Sequence, residues 1–453
     1  MQLSFCKRYI PYSLSILRLG LPIVIAQLGL IIQSIADTVM IGQYGTYELS
    51  AASFTNNLFN LTYFFLLGYS YGTTPVIGYN YGKNDDVAVG RTLKESLIGN
   101  VSLSLIISLL LYLIYLNISL LHQPEELIPY IKIYFILLLY SMPLIGMFNS
   151  LKQFCDAVGD TKTPMWIMLI GNIVNIICNA LLIFGLLGFP EYGIMGAGIA
   201  TLLSRIVMCI GICFVICMKK TYKVYISNLK SRFTYKGLWH ITKIGLPISC
   251  QLSLEAAAFN VSAIFMGWLG VGELAAHQIA CTIGTVCFTI YYGIGAAVAI
   301  QISHARAVNN WSEIKTISVV GYIMTTCSAV LMSGILFIFI IPLVSLFTPD
   351  MNVARIVFSL MPAFFVYQFG DSLQIVYANC LRAIEDVNKL LLYSLIAYGL
   401  ISIPLGYIFA FCLEWKAPGV WWALPFGLTT AGILFCRRFY NQLATPRHIS
   451  PKA

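Results

Sequence analysis

LGLPIVIAQLGLIIQSIADTVMIGQYG, residues 19–45, carries a single charged side chain, Asp37. An α-helix needs about 20 apolar residues to cross a hydrocarbon core roughly 30 Å thick. This stretch is long enough, and it is apolar on all sides rather than alternating, as a barrel strand of about 10 residues would be. It also recurs. Gly20-Leu21-Pro22 returns as Gly245-Leu246-Pro247, and at the same offset of 225 Gly42, Gly45, Glu48, Leu49 and Ala51 return as Gly267, Gly270, Glu273, Leu274 and Ala276. Gly68 meets Gly293; with one residue inserted, Ala157 and Asp160 meet Ala383 and Asp386, and Gly193 meets Gly419. The chain is a duplication of a membrane-spanning unit.

Working outward, apolar stretches of spanning length fall near 15–41, 52–79, 95–120, 130–151, 165–188, 193–218, 241–268, 274–302, 317–346, 356–379, 390–413 and 419–436. The predicted fold is an all-α polytopic membrane protein of twelve transmembrane helices. Composition agrees: 59% of the 453 residues are hydrophobic and 10% charged, against about 25% charged in a soluble domain. Residues 1–218 form a six-helix N-lobe, 219–240 a cytoplasmic loop between lobes, and 241–453 a six-helix C-lobe with a short cytoplasmic tail. An even number of spans per repeat makes the two repeats parallel, related about an axis near the membrane normal, a plan suited to alternating access.

Lys and Arg test the count, because short cytoplasmic loops carry them. With the N-terminus inside, all 27 fall in inner segments except Lys132, Arg355 and Lys416 outside and Arg205 within the sixth span. Both termini are therefore expected in the cytoplasm, and the net charge of +9 reads as topology and contact with anionic lipid, not as a nucleic-acid surface. Trp268, Trp415, Trp421 and Trp422 fall near outer span ends and Trp166, Trp239 and Trp311 near inner ones, as interfacial anchors do. The first apolar stretch lacks a small-residue cleavage site, so no removable leader is expected. The five His are scattered without metal spacing, and no Walker loop, dinucleotide fingerprint or zinc cluster occurs. An enzyme, a bound cofactor and a self-contained ATP-driven pump are not expected.

An ionisable group in lipid costs several kcal/mol and so faces a bundle interior, a partner or water. Asp37, Glu255, Asp371 and Arg205 qualify. The duplication does not explain the acids, since Asp37 meets Ser262 and Glu255 meets Leu30 at the repeat offset. Glu255 and Asp371 read either as carboxylates that bind a coupling cation or proton, or as buried acids held for packing. Tyr367, one turn before Asp371, could share a ligand with it. Asn175 and Asn179 are i,i+4 on one face of span 5 and suit either interhelical hydrogen bonds or a second ion site with Asp37. Gln33, Gln278 and Arg205 are candidate cleft-lining groups. Pro22 and Pro247 must bend spans 1 and 7, as static kinks or as bends that follow the protonation of Asp37. Gly68, Gly72, Gly78 and Gly82 favour close packing along span 2.

The quoted segment, together with TKIGLPISCQLSLEAAAFNVSAIFMGWLGVGELAAHQIA (242–280), GNIVNIICNALLIFG (171–185) and GAGIAT (196–201), closely resembles the multidrug and toxic compound extrusion (MATE) family across nearly the whole chain. The pairing of Glu255 with Asp371 is similar to its NorM branch. The resemblance implies a sodium- or proton-driven antiporter that exports cationic or amphipathic organic compounds. It implies a C-lobe cation site at Glu255, Tyr367 and Asp371, with Na+ held at Glu255 and Asp371 if sodium is the ion, and an N-lobe site at Asp37, Asn175 and Asn179. Pro22 matches a first-helix proline implicated in bending. Gly196-Ala197-Gly198 supplies no polar group where some members have a span-6 ligand. The expected protein is a monomer in a bacterial inner membrane, in contact with lipid. The competing expectation, a flippase for a lipid-linked sugar or another amphipath, would call for a basic cleft. Here the candidate lining is chiefly acidic.

Overall fold

A computed structural model describes residues 2–444, with side chains from Tyr9 onward. Lys7, Arg8, Arg447, His448 and Lys452 of the readings above lie outside the described side chains. Among the described residues the chain is helical with no strand. Eleven helical segments among the described residues are long and apolar enough to cross a membrane. The first repeat supplies α1 (Gln2–Tyr44), α4 (Asp86–Leu116), α5 (Ile128–Ala157), α6 (Lys162–Ile183) and α7 (Ile194–Met218). The second repeat supplies α9 (Tyr235–Leu269), α10 (Val271–Ala307), α11 (Trp311–Phe347), α12 (Met351–Ala383), the segment Val387–Cys412 and α15 (Lys416–Ala444). The remaining expected span is split at Gly72 into α2 (Thr46–Tyr71) and α3 (Thr73–Gly82). It is less apolar because Asn56, Asn57 and Asn60 lie exposed along one side of α2. Between Val387 and Cys412 the helix alternates α13 (Val387–Ser394) and α14 (Ile403–Tyr407) with wider π-helical turns at Leu395–Ser402 and Ile408–Cys412.

The chain folds into two compact units that do not follow the repeat boundary. One holds Ile25–Ser249; the other holds the chain through Val24 and from Cys250 onward. Thus α1 and α9 each pass from one unit to the other, two or three residues beyond Pro22 and Pro247 respectively. Within the second of these units, Gly20 lies against Gly293, where an added Cβ would sit 2.9 Å from the Gly293 carbonyl oxygen. Within the first, Gly245 lies against α2, where its Cβ would come 2.7 Å from the Tyr69 carbonyl oxygen, and a Cβ on Gly72 would meet the Gly245 nitrogen at 2.7 Å. Of the glycines matched by the repeat, Gly20, Gly245, Gly68 and Gly293 are therefore places where backbones approach closely, which a residue without a side chain allows.

Two further repeat matches have local causes. Glu48 folds back over Gly45 at the start of α2, and Glu273 over Gly270 at the start of α10, each placing a carboxylate at a helix N-terminus where the backbone N–H groups lack partners. Gly270 has φ 152°, a backbone setting that favours glycine. The matched aspartates are clasps. Asp160 accepts hydrogen bonds from the Tyr222 hydroxyl (2.6 Å), Thr163 Oγ1 (2.7 Å) and Lys219 Nζ, which fastens α8 (Lys220–Ser227) to the α5–α6 turn. Asp386 accepts from Arg438 Nε (2.5 Å) and Gln442 Nε2 (3.1 Å), fastening the end of α15.

Two expectations from the sequence need correction. Trp421 is 1% exposed and packs among Phe364, Tyr367 and His277, so it is a core residue, not an interfacial anchor. Lys152, Arg306 and Arg382 are also buried rather than on loop surfaces. Lys152 pairs with Asp156 at 2.8 Å and Arg306 with Glu385 at 2.8 Å. Charge at the end of a long span can turn inward when an acid meets it there.

Burial works against the Asp160 carboxylate, but its donors Lys219, Tyr222 and Thr163 outweigh burial and hold its carboxyl below the usual carboxylate range. A depressed carboxyl contributes stability above its unfolded value and loses it as pH falls through the folded one. Asp160→Ala is expected to cost about 2 kcal/mol at neutral pH, read as a lower melting temperature of the detergent-purified protein. The gap from wild type should narrow on acidification below the usual carboxylate range; a gap independent of pH would exclude the charged clasp.

Candidate functional site

In the unit Ile25–Ser249, α6 presents Asn175 and Asn179 one turn apart, 0% and 1% exposed. Asn179 Nδ2 donates to Asp37 Oδ1 at 2.5 Å and to Asn175 Oδ1 at 3.2 Å. The three residues expected together are therefore joined. Gln33, one turn before Asp37, interacts with its carboxylate, and Arg205 on α7 lies within electrostatic reach of it. Arg205 is held by the Ser141 hydroxyl of α5, inside the bundle. Asn175 Nδ2 and Asn179 Oδ1 are buried without partners, so the centre has a donor and an acceptor to spare. Buried polar groups are ordinarily satisfied; these two leave room for a water or an ion.

Sequence reasoning missed two members of this centre. Tyr134 interacts with Asp37 and with Thr201, and donates to Asn56 Oδ1 at 3.4 Å. Thr201 is a buried hydroxyl on span 6, three residues beyond Gly196-Ala197-Gly198. Its backbone bond to the Ala197 carbonyl (3.0 Å) orients it. The signal was a pair of hydroxyls, Thr201 and Ser204, on the buried face of an apolar helix.

The other unit carries the second centre. Asp371, on α12, is 1% exposed, and its Oδ2 has no hydrogen-bond partner. Tyr367 is buried one turn away, its ring set against Trp421, Phe364 and Phe259. Glu255, from α9, faces α12: its Oε2 accepts from Gln374 Nε2 at 3.3 Å and from Gln251 Nε2, on its own helix, at 2.9 Å. Glu255 and Asp371 interact electrostatically as like charges. Two carboxylates in one apolar bundle repel when both are ionised, and a shared proton or cation would relieve that repulsion. Their oxygens, with Tyr367, are hard donors of the kind that suits a proton or an alkali cation. Gln251 and Gln374 went unread because a glutamine in a span looks like any other weak polar interruption; only the fold shows that both amides aim at one oxygen.

Gln278 is not drawn to either acid of its unit. It is exposed on α10 with Thr282 and Thr285, while Ser53, Asn57 and Asn60 are exposed on α2 at the positions that match by the repeat offset. Each unit thus presents an exposed polar helix face, which lipid would penalise. Pro22 is buried and Pro247 partly buried, both within unbroken helices.

Acid centres buried in an all-helical membrane bundle define an integral membrane transporter rather than an enzyme. The MatE family profile matches residues 22–181 and again 247–408, once per repeat and over more than half the chain. The chain belongs to the MatE family and is a MATE transporter of the NorM branch. It is 31% identical over 425 residues to the probable multidrug resistance protein NorM of Photorhabdus laumondii, covering 91% of this chain and 92% of that one. It is 27% identical to the multidrug resistance protein PmpM of Pseudomonas aeruginosa, covering 94% and 92%. Among solved structures, the fold matches an outward-facing multidrug resistance MATE transporter of the MOP superfamily with TM-score 0.88 at 20% identity, covering 96% of this chain and 97% of that one. The eukaryotic MATE transporter AtDTX14 matches with TM-score 0.86 at 16% identity, covering 97% and 99%.

The bond between Asn179 and Asp37 is charge-assisted and buried, so its two ends should not be independent. In a double-mutant cycle of Asp37→Asn and Asn179→Ala, followed by thermal unfolding of the purified protein, a coupling of about 1–2 kcal/mol is expected. Additive single effects would show that the pair does not act as a unit.

Proposed function

We propose that this protein exports cationic or amphipathic organic compounds, drugs included, in exchange for Na+ or H+. The observation that carries the proposal is the pair of acids on α9 and α12, with an unpartnered Asp371 oxygen wholly buried in apolar surroundings. In this reading Glu255, Asp371 and Tyr367 hold the coupling ion in one centre, and Asp37, Asn175 and Asn179 hold a proton or ion in the other. Entry of the external ion neutralises a carboxylate and weakens its attraction for a positively charged compound, which then leaves; inward opening discharges the ion. One desolvated carboxylate's occupancy is worth several kcal/mol, enough to tip a conformational balance of only a few kcal/mol.

The polar faces on α2 and on α10, and the candidate cleft-lining groups Gln33, Gln278 and Arg205, are each suited to contact with water rather than lipid. Pro22 and Pro247, where backbone hydrogen bonds are missing, are the bends about which the lobes 1–218 and 241–453, joined by 219–240, would change access. The names of its relatives, multidrug resistance proteins, favour multidrug compounds as substrates; nothing in them favours a lipid-linked sugar. The basic inner segments fit a bacterial inner membrane with both termini in the cytoplasm, and a monomer holds both acid centres.

The test is efflux of a cationic dye from proteoliposomes under sodium and proton gradients imposed separately. Glu255→Gln and Asp371→Asn are each expected to abolish coupled efflux while folded protein persists in the membrane. Undiminished coupled transport in either variant would remove that residue from the site. The gradient that drives wild-type efflux identifies the ion.

A further inference from the structure

Glu255 is reached by a chain of hydrogen bonds that begins at a buried cation. Arg382 lies in the last turn of α12 and is 6% exposed. Its Nη2 donates to Gln251 Oε1 at 2.5 Å, and Gln251 Nε2 donates to Glu255 Oε2 at 2.9 Å. The order of atoms is forced. A guanidinium only donates, so the amide must offer Arg382 its carbonyl oxygen, and its NH2 group is thereby aimed at the carboxylate. Gln251 is itself 0% exposed. Arg382 thus fixes the orientation of an amide that, with Gln374, holds one oxygen of Glu255.

The duplication separates this arm from the scaffold. At the repeat offsets, Gln251 meets Ala26, Glu255 meets Leu30 and Arg382 meets Asp156. All three members are missing together from the first repeat, where Asp156 is instead paired with Lys152 at 2.8 Å. A contact required only to pack α9 against α12 would have no reason to appear and vanish with the acid.

The charged and titratable groups facing Glu255 are Asp371 and Tyr367 from α12, Tyr398 from the π-helical turn Leu395–Ser402, and Arg382. Arg382 is the cation among them. A fixed positive charge one amide away stabilises the empty carboxylate and opposes any mobile cation that comes to it. We propose that Arg382, acting through Gln251, is a positioning residue that limits how tightly Glu255 holds the coupling ion and so permits its release. This rests on the coupling role of Glu255 proposed above. Without the arm, the ion would bind more tightly and leave more slowly.

The experiment uses the full-length protein in liposomes and reads dye efflux against two titrations, sodium at fixed pH and pH without sodium. Arg382→Met and Gln251→Leu are each expected to lower the coupling-ion concentration for half-maximal efflux about tenfold and to reduce the maximal rate. Arg382→Lys, which keeps the charge, should stay closer to wild type, and Arg382→Met on top of Gln251→Leu should add little. A merely structural role would cut yield or rate without moving the half-saturating concentration, and that result overturns the inference. If Arg382→Met does not fold, Gln251→Leu decides alone, since it leaves the arginine in place; an unshifted titration there is equally fatal. Glu255→Gln separates the two proposals. If it abolishes coupling while the arm variants leave the titration unmoved, only the role of Arg382 fails; if coupling survives it, the role of Glu255 fails as well.

Discussion

Hydrocarbon offers no hydrogen bonds, so every polar group carried into a span must find its partner inside the protein. That constraint explains why the charges of this chain are few and where they sit. Asp37 has Asn179, Glu255 has two glutamines, Arg205 has Ser141, and the buried Lys152 and Arg306 have acids of their own. Asp371 Oδ2, Asn175 Nδ2 and Asn179 Oδ1, in the two acid centres, are among the buried polar atoms left without a partner. A buried unpartnered carboxylate oxygen is among the costlier things a bundle can contain, and an ion or proton that visits and departs is a reason to keep it.

Much of the fold was legible because the membrane simplifies the code. Length and apolarity locate spans without any need to distinguish helix faces, and several of the glycines repeated at an offset of 225, Gly20, Gly45, Gly68 and their matches among them, are backbone contacts or helix starts. The exception among the spans, 52–79, shows the limit of that reading. Asn56, Asn57 and Asn60 make α2 the least apolar of the twelve, and Gly72 divides it from α3. Its polarity was a signal in itself, matched at Gln278, Thr282 and Thr285 on α10. The acids were legible for the same reason that they are costly. Their partners were less so, because Gln251, Gln374 and Tyr134 are residue types that occur in spans without consequence, and only three-dimensional placement separates the ones that come near a carboxylate. Lys152 and Arg382 were misplaced because a charge near a span end reads as surface unless its buried partner is known.

The duplication divides what the chain inherited from what it altered. The features that hold helices in place are held in common: a glutamate over Gly45 and over Gly270, a clasp at Asp160 and at Asp386, close contacts at Gly20 and at Gly245. The features that carry charge into the bundle differ. Asp37 faces Ser262 across the repeat, Glu255 faces Leu30, and Arg382 faces Asp156. Contributions common to both halves change together and largely cancel when one half is compared with the other. What sets the halves apart is the free energy of a few ionisable side chains, each worth several kcal/mol when desolvated. An exchanger built on a near-symmetric scaffold can therefore bind and release its ion in one half while the other holds its own acid in a different chemical setting, Asp37 among asparagines and Glu255 among glutamines backed by an arginine. In the proposed exchange the gradients of ion and substrate set the direction, and the residues behind each carboxylate, more than the carboxylates themselves, set how tightly each would hold an ion and how readily each would give it up.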